Sequence, residues 1–246
     1  MEYRRPGSLA EAVALLLEAR PLAGGTSLTS HRRSVRSVAD LQDLHLDQIS
    51  HTGEWIEFGS CVRLQTLVDA TQSIPEAIRV AASQEAGWNL RNAVTLGGMI
   101  AGGDSRSPLL VTVLALQTEV WIEPDGEWSD VERVLAARPG SLEGRLITSL
   151  RLRNPSQSVY EQVGRTPADW PIVAAAAAVR EGSLTVALGG FGDRPLRLDA
   201  SNGAVGFAAA AAQAFAGAGD EWASAAYRSA VGAILARRVV ERLTAR

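Results

Sequence analysis

The sequence predicts an α+β protein made of more than one sub-domain. Strand-like and helix-like segments follow one another in mixed order, without the strict alternation that builds one doubly wound parallel sheet. A chain of 246 residues is long for one simple domain, and its hydrophobic content of 46% is enough for a sizeable core. The turn Asn154-Pro155-Ser156 is the best candidate for a domain boundary. We therefore expect an N-terminal domain over residues 1–153, with sub-domains of about 1–50 and 51–153, and a C-terminal domain over residues 154–246.

The N-terminal region opens with a capped helix. Ser8-Leu9-Ala10-Glu11 has the pattern of a capping box ahead of an apolar helical run, which we expect to end near Arg20-Pro21. Its apolar stripe, which we expect to pack inward, consists of Leu9, Val13, Leu16 and Leu17. The next predicted elements are a glycine-containing turn at 22–30, strands at 34–41 and 55–59, and helices at 63–70 and 75–84.

The middle of the chain contains a long glycine-rich stretch. Between Gly87 and Ser107, the pairs Gly97-Gly98 and Gly102-Gly103 weaken any helical pattern, so we expect a loop. The elements predicted after it are a helix at 109–116, a strand at 119–123, a hairpin turn at 124–126, a helix at 131–137 and a strand at 145–153. In the last of these, alternation places on one side Leu146, Thr148, Leu150 and Leu152.

The C-terminal region is predicted to form a sheet followed by two helices. Apolar runs predict strands at 159–163, 172–179 and 184–188. The alanine run 174–178 inside the second strand has a high helix propensity, so that strand depends on the buried character of the whole run. Helices are predicted at 204–215 and from about 221 to 243.

Charge and composition exclude several functional classes. A net charge of −3 and an isoelectric point near 5.7 argue against non-specific nucleic-acid binding, which needs a strong cationic field. Apart from histidine, every basic residue is arginine, and the absence of lysine excludes a Walker A phosphate loop and Schiff-base chemistry. Any bound phosphate must therefore be held by arginine, hydroxyl or backbone N–H groups.

Cysteine and histidine form no metal-binding pattern. The single cysteine, Cys61, cannot make an internal disulfide, a structural zinc site or an iron–sulfur cluster, and we expect it to be a small buried residue after a strand. The histidines His31, His45 and His51 lack metal-ligand spacing, so we expect them on the surface.

No targeting segment is expected. The N-terminal residues 1–6 run directly into an amphipathic helix that carries Glu11 and Glu18, unlike a signal peptide. The longest apolar stretch, 171–179, is too short to span a bilayer. We therefore expect a cytoplasmic protein, free or at the inner face of a membrane, without a membrane span.

The first of two glycine motifs is Leu22-Ala23-Gly24-Gly25-Thr26-Ser27-Leu28. Consecutive glycines let the backbone approach a ligand closely, and two hydroxyl side chains follow them. Exposed N–H groups in such a turn form an anion-binding concavity, which suits a pyrophosphate and requires no lysine. The alternative interpretation is an ordinary glycine turn.

The second motif spans residues 92–104 and combines two glycine pairs with Thr95 and Asp104. Loops of this length inside a compact domain are usually functional. A meandering surface loop is the alternative, although the apolar residues Leu96, Met99 and Ile100 are unusual for one.

Together these motifs resemble the FAD-binding (medium) subunits of molybdenum hydroxylases, the xanthine dehydrogenase and carbon monoxide dehydrogenase family, and in particular the medium subunits of carbon monoxide dehydrogenases. The segments that carry the resemblance are 23–28, 58–60 with Leu64, Leu67 and Val68, 90–98, 160–165 with Asp169, 187–191 with Arg194 and Pro195, and 227–230 with Arg237 and Arg238. They cover nearly the whole chain in the family's order. This co-linearity is far more specific than any single motif.

The resemblance implies an FAD-binding fold of the p-cresol methylhydroxylase (PCMH) or vanillyl-alcohol oxidase type. Two small sub-domains of this fold hold FAD, and a C-terminal α+β domain like that of carbon monoxide dehydrogenase flavoproteins follows. The residues implied to bind FAD are Ala23, Gly24, Gly25, Thr26 and Ser27 around the diphosphate, flanked by Leu22 and Leu28, then Thr95, Gly97, Gly98 and Met99 on the other side of the cofactor, Ile147 near the adenine, and Asp104. We expect no catalytic residue, because the flavin carries the chemistry.

The resemblance also implies partner subunits. A small subunit would carry [2Fe–2S] clusters and a large subunit molybdopterin, in a dimer of heterotrimers. This chain would pass electrons from the clusters to NAD, a quinone or oxygen. Arg165 and Asp169 would either shape the flavin pocket or simply pair with each other.

Two departures from the family's pattern keep an alternative function open. Met99 stands where the family usually has asparagine, aspartate or serine, and Pro108 stands where it often has a second carboxylate, so Asp104 or Ser107 would replace that ribose ligand. The alternative is a paralogue that keeps the fold, has lost FAD and serves as an assembly or scaffold subunit.

Two further functional interpretations have less support. A stand-alone flavin reductase on the same fold, such as the cell-wall precursor reductase, lacks support because no catalytic serine and glutamate motif of that kind is present. A Rossmann domain is excluded, since Gly189-Gly190-Phe191-Gly192 lacks both the third glycine and the following helix.

Overall fold

The computed structural model describes residues 1–30, 32–70, 74–166 and 169–245, and within these ranges it confirms the α+β class. The strands are β1 (Glu2–Arg4), β2 (Arg20–Leu22), β3 (Ser37–Asp40), β4 (Ile49–Thr52), β5 (Trp55–Gly59), β6 (Glu119–Glu123), β7 (Glu127–Asp130), β8 (Leu146–Arg153), β9 (Gln157–Val163), β10 (Val173–Arg180), β11 (Ser183–Gly189) and β12 (Leu196–Leu198). The helices are α1 (Leu9–Leu15), α2 (Thr26–Ser30), α3 (Leu64–Asp69), α4 (Glu76–Glu85), α5 (Trp88–Arg91), α6 (Leu96–Gly102), α7 (Pro108–Ala115), α8 (Val131–Ala136), α9 (Gly203–Ala214) and α10 (Ala225–Thr244).

The chain divides into two compact units that are interleaved along the sequence. Unit 1 comprises Met1–Leu67, Trp88–Gly102 and Thr118–Leu152. Unit 2 comprises Val68–Gly87, Gly103–Gln117 and Arg153–Arg246. The domain boundaries expected from the sequence, with a division at residues 153–154, remain a prediction.

Unit 1 contains two sheets. A three-stranded parallel sheet has the order β1-β3-β2, and a five-stranded sheet has the order β4-β5-β8-β6-β7. The alternation predicted for β8 is confirmed, because Leu146, Thr148, Leu150 and Leu152 are all buried. The sequence did not predict β1, β2, β4 or β7. Strands of three or four residues are too short for a period of two to be visible.

The inward face predicted for the first helix is wrong. The capping box is confirmed, since the Ser8 hydroxyl accepts from the Glu11 N–H at 3.3 Å. The helix ends at Leu15, however, and Leu17 is 85% exposed. Ala12 is the residue of α1 that reaches the core, with Leu16 packed beside it. The predicted stripe assumed a helix that continued to residue 20, and Leu17 lies beyond its last turn.

The long loop predicted between Gly87 and Ser107 is also wrong. The structure forms α5 and α6 there, and α6 includes three glycines. Glycine costs roughly 1 kcal/mol per position relative to alanine in a helix, so local propensity does not predict α6. Contacts with the rest of unit 1, described below, supply its stability.

Unit 2 is built on an antiparallel sheet of order β12-β11-β10-β9. Its central strand β10 confirms the predicted strand over the alanine run. Ala175 and Ala177 lie in one core with residues of α9 and α10, and the pleat turns Ala174 and Ala176 to the opposite face, where α7 packs. Small side chains let helices pack closely against both faces of β10. The resulting burial of both faces outweighs the helix propensity of alanine.

The last helix begins later than predicted, at Ala225 instead of about Glu221. The Asp220 carboxylate accepts from the N–H groups of Trp222 and Ala223 at 2.8 and 3.0 Å, which stabilises a turn. The Ser224 hydroxyl then caps the helix by accepting from the Tyr227 N–H at 3.2 Å. The hydrogen bonds of Asp220 therefore favour a turn before Ala225, and the Ser224 cap fixes the start of the helix.

Candidate cofactor site

The first glycine motif is a tight turn between β2 and α2. Leu22 ends β2, and Gly25 adopts a φ of +68°, which glycine reaches without strain. The Gly25 carbonyl accepts from both the N–H and the hydroxyl of Thr29, at 2.9 and 2.8 Å. Thr26 and Ser27 follow in the first turn of α2, and Leu28 is half-buried. The turn therefore presents backbone and hydroxyl donors in one short segment.

Gly24 joins the two motifs. A Cβ atom at this position would lie 1.9 Å from the carbonyl oxygen of Ala93 and 3.4 Å from the Cα of Val94. Only glycine permits this approach, because a side chain of any size would overlap the neighbouring backbone. The turn at residues 22–28 therefore lies directly against the start of the second motif.

The second motif is attached to the end of β5 by backbone hydrogen bonds. The Leu64 N–H donates to Val94 O at 3.1 Å, the Leu96 N–H to Val62 O at 2.9 Å, and the Gly97 N–H to Ser60 O at 2.8 Å. A Cβ at Gly97 would lie 2.6 Å from the Cβ of Ser60. These contacts fix where α6 begins, which explains a helix that propensity does not predict.

Thr95 organises the start of α6. It is 5% exposed, and its hydroxyl accepts from the Gly98 N–H at 3.3 Å. Its carbonyl accepts from the Met99 N–H at 3.0 Å. Gly98 is exposed and Met99 is half-buried. The predicted residues of this motif therefore occupy the first turn of one helix.

Ile147 lies on β8, the strand that hydrogen-bonds to Ser60 next to the second motif. The Ser60 N–H donates to the carbonyl of Thr148 at 2.9 Å, so β8 runs beside the residue that carries Gly97. Ile147 itself is 6% exposed and pairs with Ile122 of β6. Its side chain is part of the core, so any contact with a ligand would come from its backbone.

The remaining predicted residue, Asp104, belongs to unit 2. Its Oδ1 accepts from the Arg106 N–H at 2.7 Å in the turn that leads to α7. Ser107 is fully buried, donates to Glu85 Oε2 at 2.8 Å and accepts from the Leu110 N–H at 3.1 Å. This leaves Asp104 as the better candidate ligand. Pro108 is the first residue of α7, a position that favours proline.

Glu85 is a buried acid that no sequence pattern predicted. It is 2% exposed, and its Oε2 accepts from the Ser107 hydroxyl and from the Leu109 N–H at 2.9 Å. Burial raises the pKa of Glu85 to about 7. No sequence signal identified it, because a glutamate at the end of an amphipathic helix is normally exposed.

The histidines, the cysteine and the Arg165–Asp169 pair were also singled out in the sequence. His45 and His51 are exposed, as predicted, whereas His31 lies outside the described residues. Cys61 follows β5 as predicted, but it is half-buried instead of buried. Its partial burial raises the pKa of the thiol to about 11, which keeps it protonated. Arg165 and Asp169 pair at 3.8 Å. Among the described residues, no cluster of histidine, cysteine, aspartate or glutamate can hold a metal ion.

The residues of unit 1 fit the diphosphate of FAD. The donors that the turn offers are neutral backbone N–H and hydroxyl groups, which bind phosphate oxygens without a lysine. The glycines at 24, 25 and 97 are required by a close approach or by a positive φ. This combination is the one that a dinucleotide diphosphate needs, since the backbone itself must come close to the ligand.

Comparison with known proteins identifies the family of the N-terminal part of the chain. The FAD binding domain in molybdopterin dehydrogenase matches residues 1–152. The carbon monoxide dehydrogenase medium chain of Afipia carboxidovorans is 29% identical over 285 aligned positions, covering 100% of this chain and 97% of its own. The YgfM protein of Escherichia coli K12 is 32% identical over 205 residues, 80% of this chain and 77% of its own.

A solved structure shares the fold. Carbon monoxide dehydrogenase from Hydrogenophaga pseudoflava superimposes with a TM-score of 0.86 at 23% identity, covering 100% of this chain and 97% of that one. The family match and the fold together define an FAD-binding subunit of an oxidoreductase. The chain belongs to the molybdopterin dehydrogenase family through its FAD binding domain, and FAD is its cofactor.

Proposed function

We propose that this chain is the FAD-carrying electron-transfer subunit of a multi-subunit molybdenum hydroxylase. In this role it passes electrons from [2Fe–2S] clusters on a partner subunit to NAD, a quinone or oxygen. The observation that carries the proposal is the junction of the two glycine motifs at Gly24 and Ala93 in unit 1. This junction brings the donors of one motif beside the capped helix of the other.

FAD, when bound, supplies the electron-accepting chemistry that protein side chains lack. The chain's own residues bind and orient it. In the proposed site, Gly24, Gly25, Thr26 and Ser27 hold the diphosphate between Leu22 and Leu28, with Ala23 in the same turn. Thr95, Gly97, Gly98 and Met99 would form the other side, and Ile147 would offer its backbone. Asp104, which the family resemblance also implies, belongs to unit 2.

The distribution of tryptophan supports partner subunits. None of the six tryptophans, all of which the structure describes, is buried in a core, and Trp88, Trp170 and Trp222 are 65, 41 and 40% exposed. Exposed tryptophan is enriched at protein interfaces, where it buries a large area. We infer an iron–sulfur small subunit and a molybdopterin large subunit as partners, assembled as a dimer of heterotrimers.

The proposed location is the cytoplasm, with the complex free or attached at the inner face of a membrane. Within the part of the chain that the structure describes, no helix is long and apolar enough to cross a bilayer.

A second candidate function, an assembly or scaffold subunit without FAD, is favoured by two residues. Met99 offers a thioether, a weak hydrogen-bond acceptor, where the family usually has a polar side chain. Pro108 begins α7 and has no side-chain polar group. Both departures lower the number of polar ligands available to the cofactor.

The flavin content of the purified chain separates the two functions. We expect absorption bands at about 370 and 450 nm, which are typical flavin positions, and about one FAD released per chain after heat denaturation. Such a result shows that Met99 and Pro108 are tolerated. A colourless protein that also fails to take up added FAD would contradict the electron-transfer function and support the scaffold.

A further inference from the structure

The helix α6, which carries part of the proposed cofactor site, is stabilised only weakly by its own residues. Three of its seven residues are glycine, which disfavours the helical backbone. The start of α6 is fixed by the hydrogen bonds to Ser60 and Val62. Its last two residues, Ala101 and Gly102, are exposed, so a separate contact is needed to keep the C-terminal turn from fraying.

Arg138 supplies a contact at that end of α6. Its Nη1 donates to the carbonyl oxygen of Ile100 at 2.7 Å, and the arginine is half-buried. The carbonyl of Ile100 is one of the last four of the helix, which have no donor within the helix itself. A guanidinium at this end also interacts favourably with the partial negative charge of the helix terminus. Arg138 therefore closes a turn that helix propensity does not stabilise.

The segment that carries Arg138 is itself anchored. It follows α8 directly, and the apolar face of α8 is buried in unit 1. The chain then folds back onto α8, because the Ser141 hydroxyl donates to the carbonyl of Val134 and the Ser141 N–H to that of Ala137, both at 3.0 Å. A side chain on a fixed turn loses less conformational entropy on binding than one on a mobile segment. The hydrogen bond of Arg138 therefore connects α6 to a helix with its own place in the core.

The order of this last turn affects the residues of the proposed cofactor site. Leu96 and Ile100 form the buried side of α6, whereas Gly98 is exposed and Met99 is half-buried. The N–H groups of Gly98 and Met99 both donate to Thr95, at 3.3 and 3.0 Å. Because α6 has only about two turns, fraying that begins at its end reaches these hydrogen bonds at once.

We propose that Arg138 is a positioning residue of the FAD site. By binding the carbonyl of Ile100, it keeps α6 helical to its end and holds Gly98 and Met99 in the geometry that the cofactor meets. Arg138 acts through α6 and does not have to touch the cofactor. The inference rests on the proposed function, in which FAD lies against the first turn of α6.

The test uses the full chain, freed of FAD and titrated with FAD again. Arg138→Met removes the donors and the charge but keeps a long side chain, and Arg138→Lys keeps the charge and one donor group. The matched control is Arg133→Met, the same change at an exposed arginine of α8, which corrects for the loss of one positive charge near an anionic cofactor. Measurements are the Kd for FAD, the visible circular dichroism of the bound flavin, amide hydrogen exchange and the melting temperature.

We expect Arg138→Met to weaken FAD binding about tenfold, because the carbonyl of Ile100 loses a charged donor. The circular dichroism of the flavin bound at saturation should change. Amide exchange should become faster in residues 98–102, with little change in the rest of unit 1. Arg138→Lys should recover part of the affinity, and Arg133→Met should match the wild type.

An unchanged Kd in Arg138→Met, with a wild type that binds FAD, would overturn the inference and leave the proposed function intact. An equal loss of affinity in Arg133→Met would also overturn it, by revealing a general effect of charge. Faster exchange throughout unit 1 with a lower melting temperature would overturn it as well, because Arg138 would then stabilise the whole unit. A wild-type chain that takes up no FAD would refute the proposed function and, with it, this inference.

Discussion

At the scale of single residues, Gly24 is the position on which the cofactor site depends most directly. Its backbone approaches Ala93 so closely that a Cβ would lie 1.9 Å from a carbonyl oxygen. Relief of this overlap requires the two motifs to move apart. Overpacking of this kind costs about 1–3 kcal/mol.

Gly24→Ala therefore tests the site. We expect a roughly ten- to hundredfold weaker Kd for FAD, measured by titration of the apoprotein and by flavin fluorescence. Gly7→Ala is the control, because a Cβ there meets nothing within 4 Å. An unchanged Kd in Gly24→Ala would mean that the junction of the motifs does not hold the cofactor.

Glu85 gives a prediction about pH. Burial raises its folded pKa to about 7 from a model-compound value of 4.5, so the folded chain keeps a proton that the unfolded chain releases. Between pH 4.5 and pH 7, the free energy of unfolding therefore falls as the pH rises. Above pH 7, the stabilising contribution of the Glu85 proton is lost. A shift of this size corresponds to about 3 kcal/mol.

Glu85→Gln removes this titration and keeps an oxygen acceptor for the Leu109 N–H. We expect the free energy of unfolding, measured with urea, to change less between pH 5 and pH 8 in the variant than in the wild type. The quantity to compare is the difference between the two proteins, because other groups also titrate. Parallel curves for both would show that Glu85 is ionised in the folded chain throughout this range.

At the scale of elements, the five-stranded sheet of unit 1 is stabilised across its strands by Arg151. Its guanidinium carbon lies 4.3 Å from the ring centre of Trp55 and 4.1 Å from that of Trp128, and its Nε is 2.6 Å from Glu119. One side chain of β8 thus connects β5, β6 and β7. Cross-strand contacts of this kind are the unit of sheet stability.

Arg151→Lys keeps the charge but loses the planar stacking. We expect the free energy of unfolding to fall by about 1 kcal/mol, measured by urea denaturation. Arg153→Lys on the same strand is a suitable comparison, since its pair with Glu181 is 3.9 Å long and exposed. Equal losses in the two variants would argue against a specific role of the stacking.

At the scale of the whole molecule, the proposed assembly with partner subunits predicts that exposed tryptophans become covered. We expect acrylamide to quench the tryptophan fluorescence of the isolated chain strongly, and to quench the signal from this chain less in the assembled complex. Substitution of the partners' own tryptophans by phenylalanine isolates that signal. Equal quenching in both states would argue that these residues remain in solvent after assembly.

The sequence by itself determined most of the regular elements and the family. Alternation located β8, the capping box located the start of α1, and a run of apolar residues located α7 and β10. The glycine motifs at 22–28 and 92–104 identified the candidate site, because consecutive glycines and hydroxyl groups constrain the backbone locally. Motifs made of adjacent residues can therefore be recognised from the sequence without knowledge of the fold.

Only the tertiary structure decided what depends on distant partners. The helix α6 forms although its glycines disfavour it, because Ser60 and Val62 supply hydrogen bonds from another part of unit 1. The closeness of Gly24 to Ala93, the buried proton of Glu85 and the hydrogen bond from Arg138 to Ile100 likewise join residues far apart in the chain. No local pattern records such contacts, since they depend on how the elements pack and on how that packing removes water.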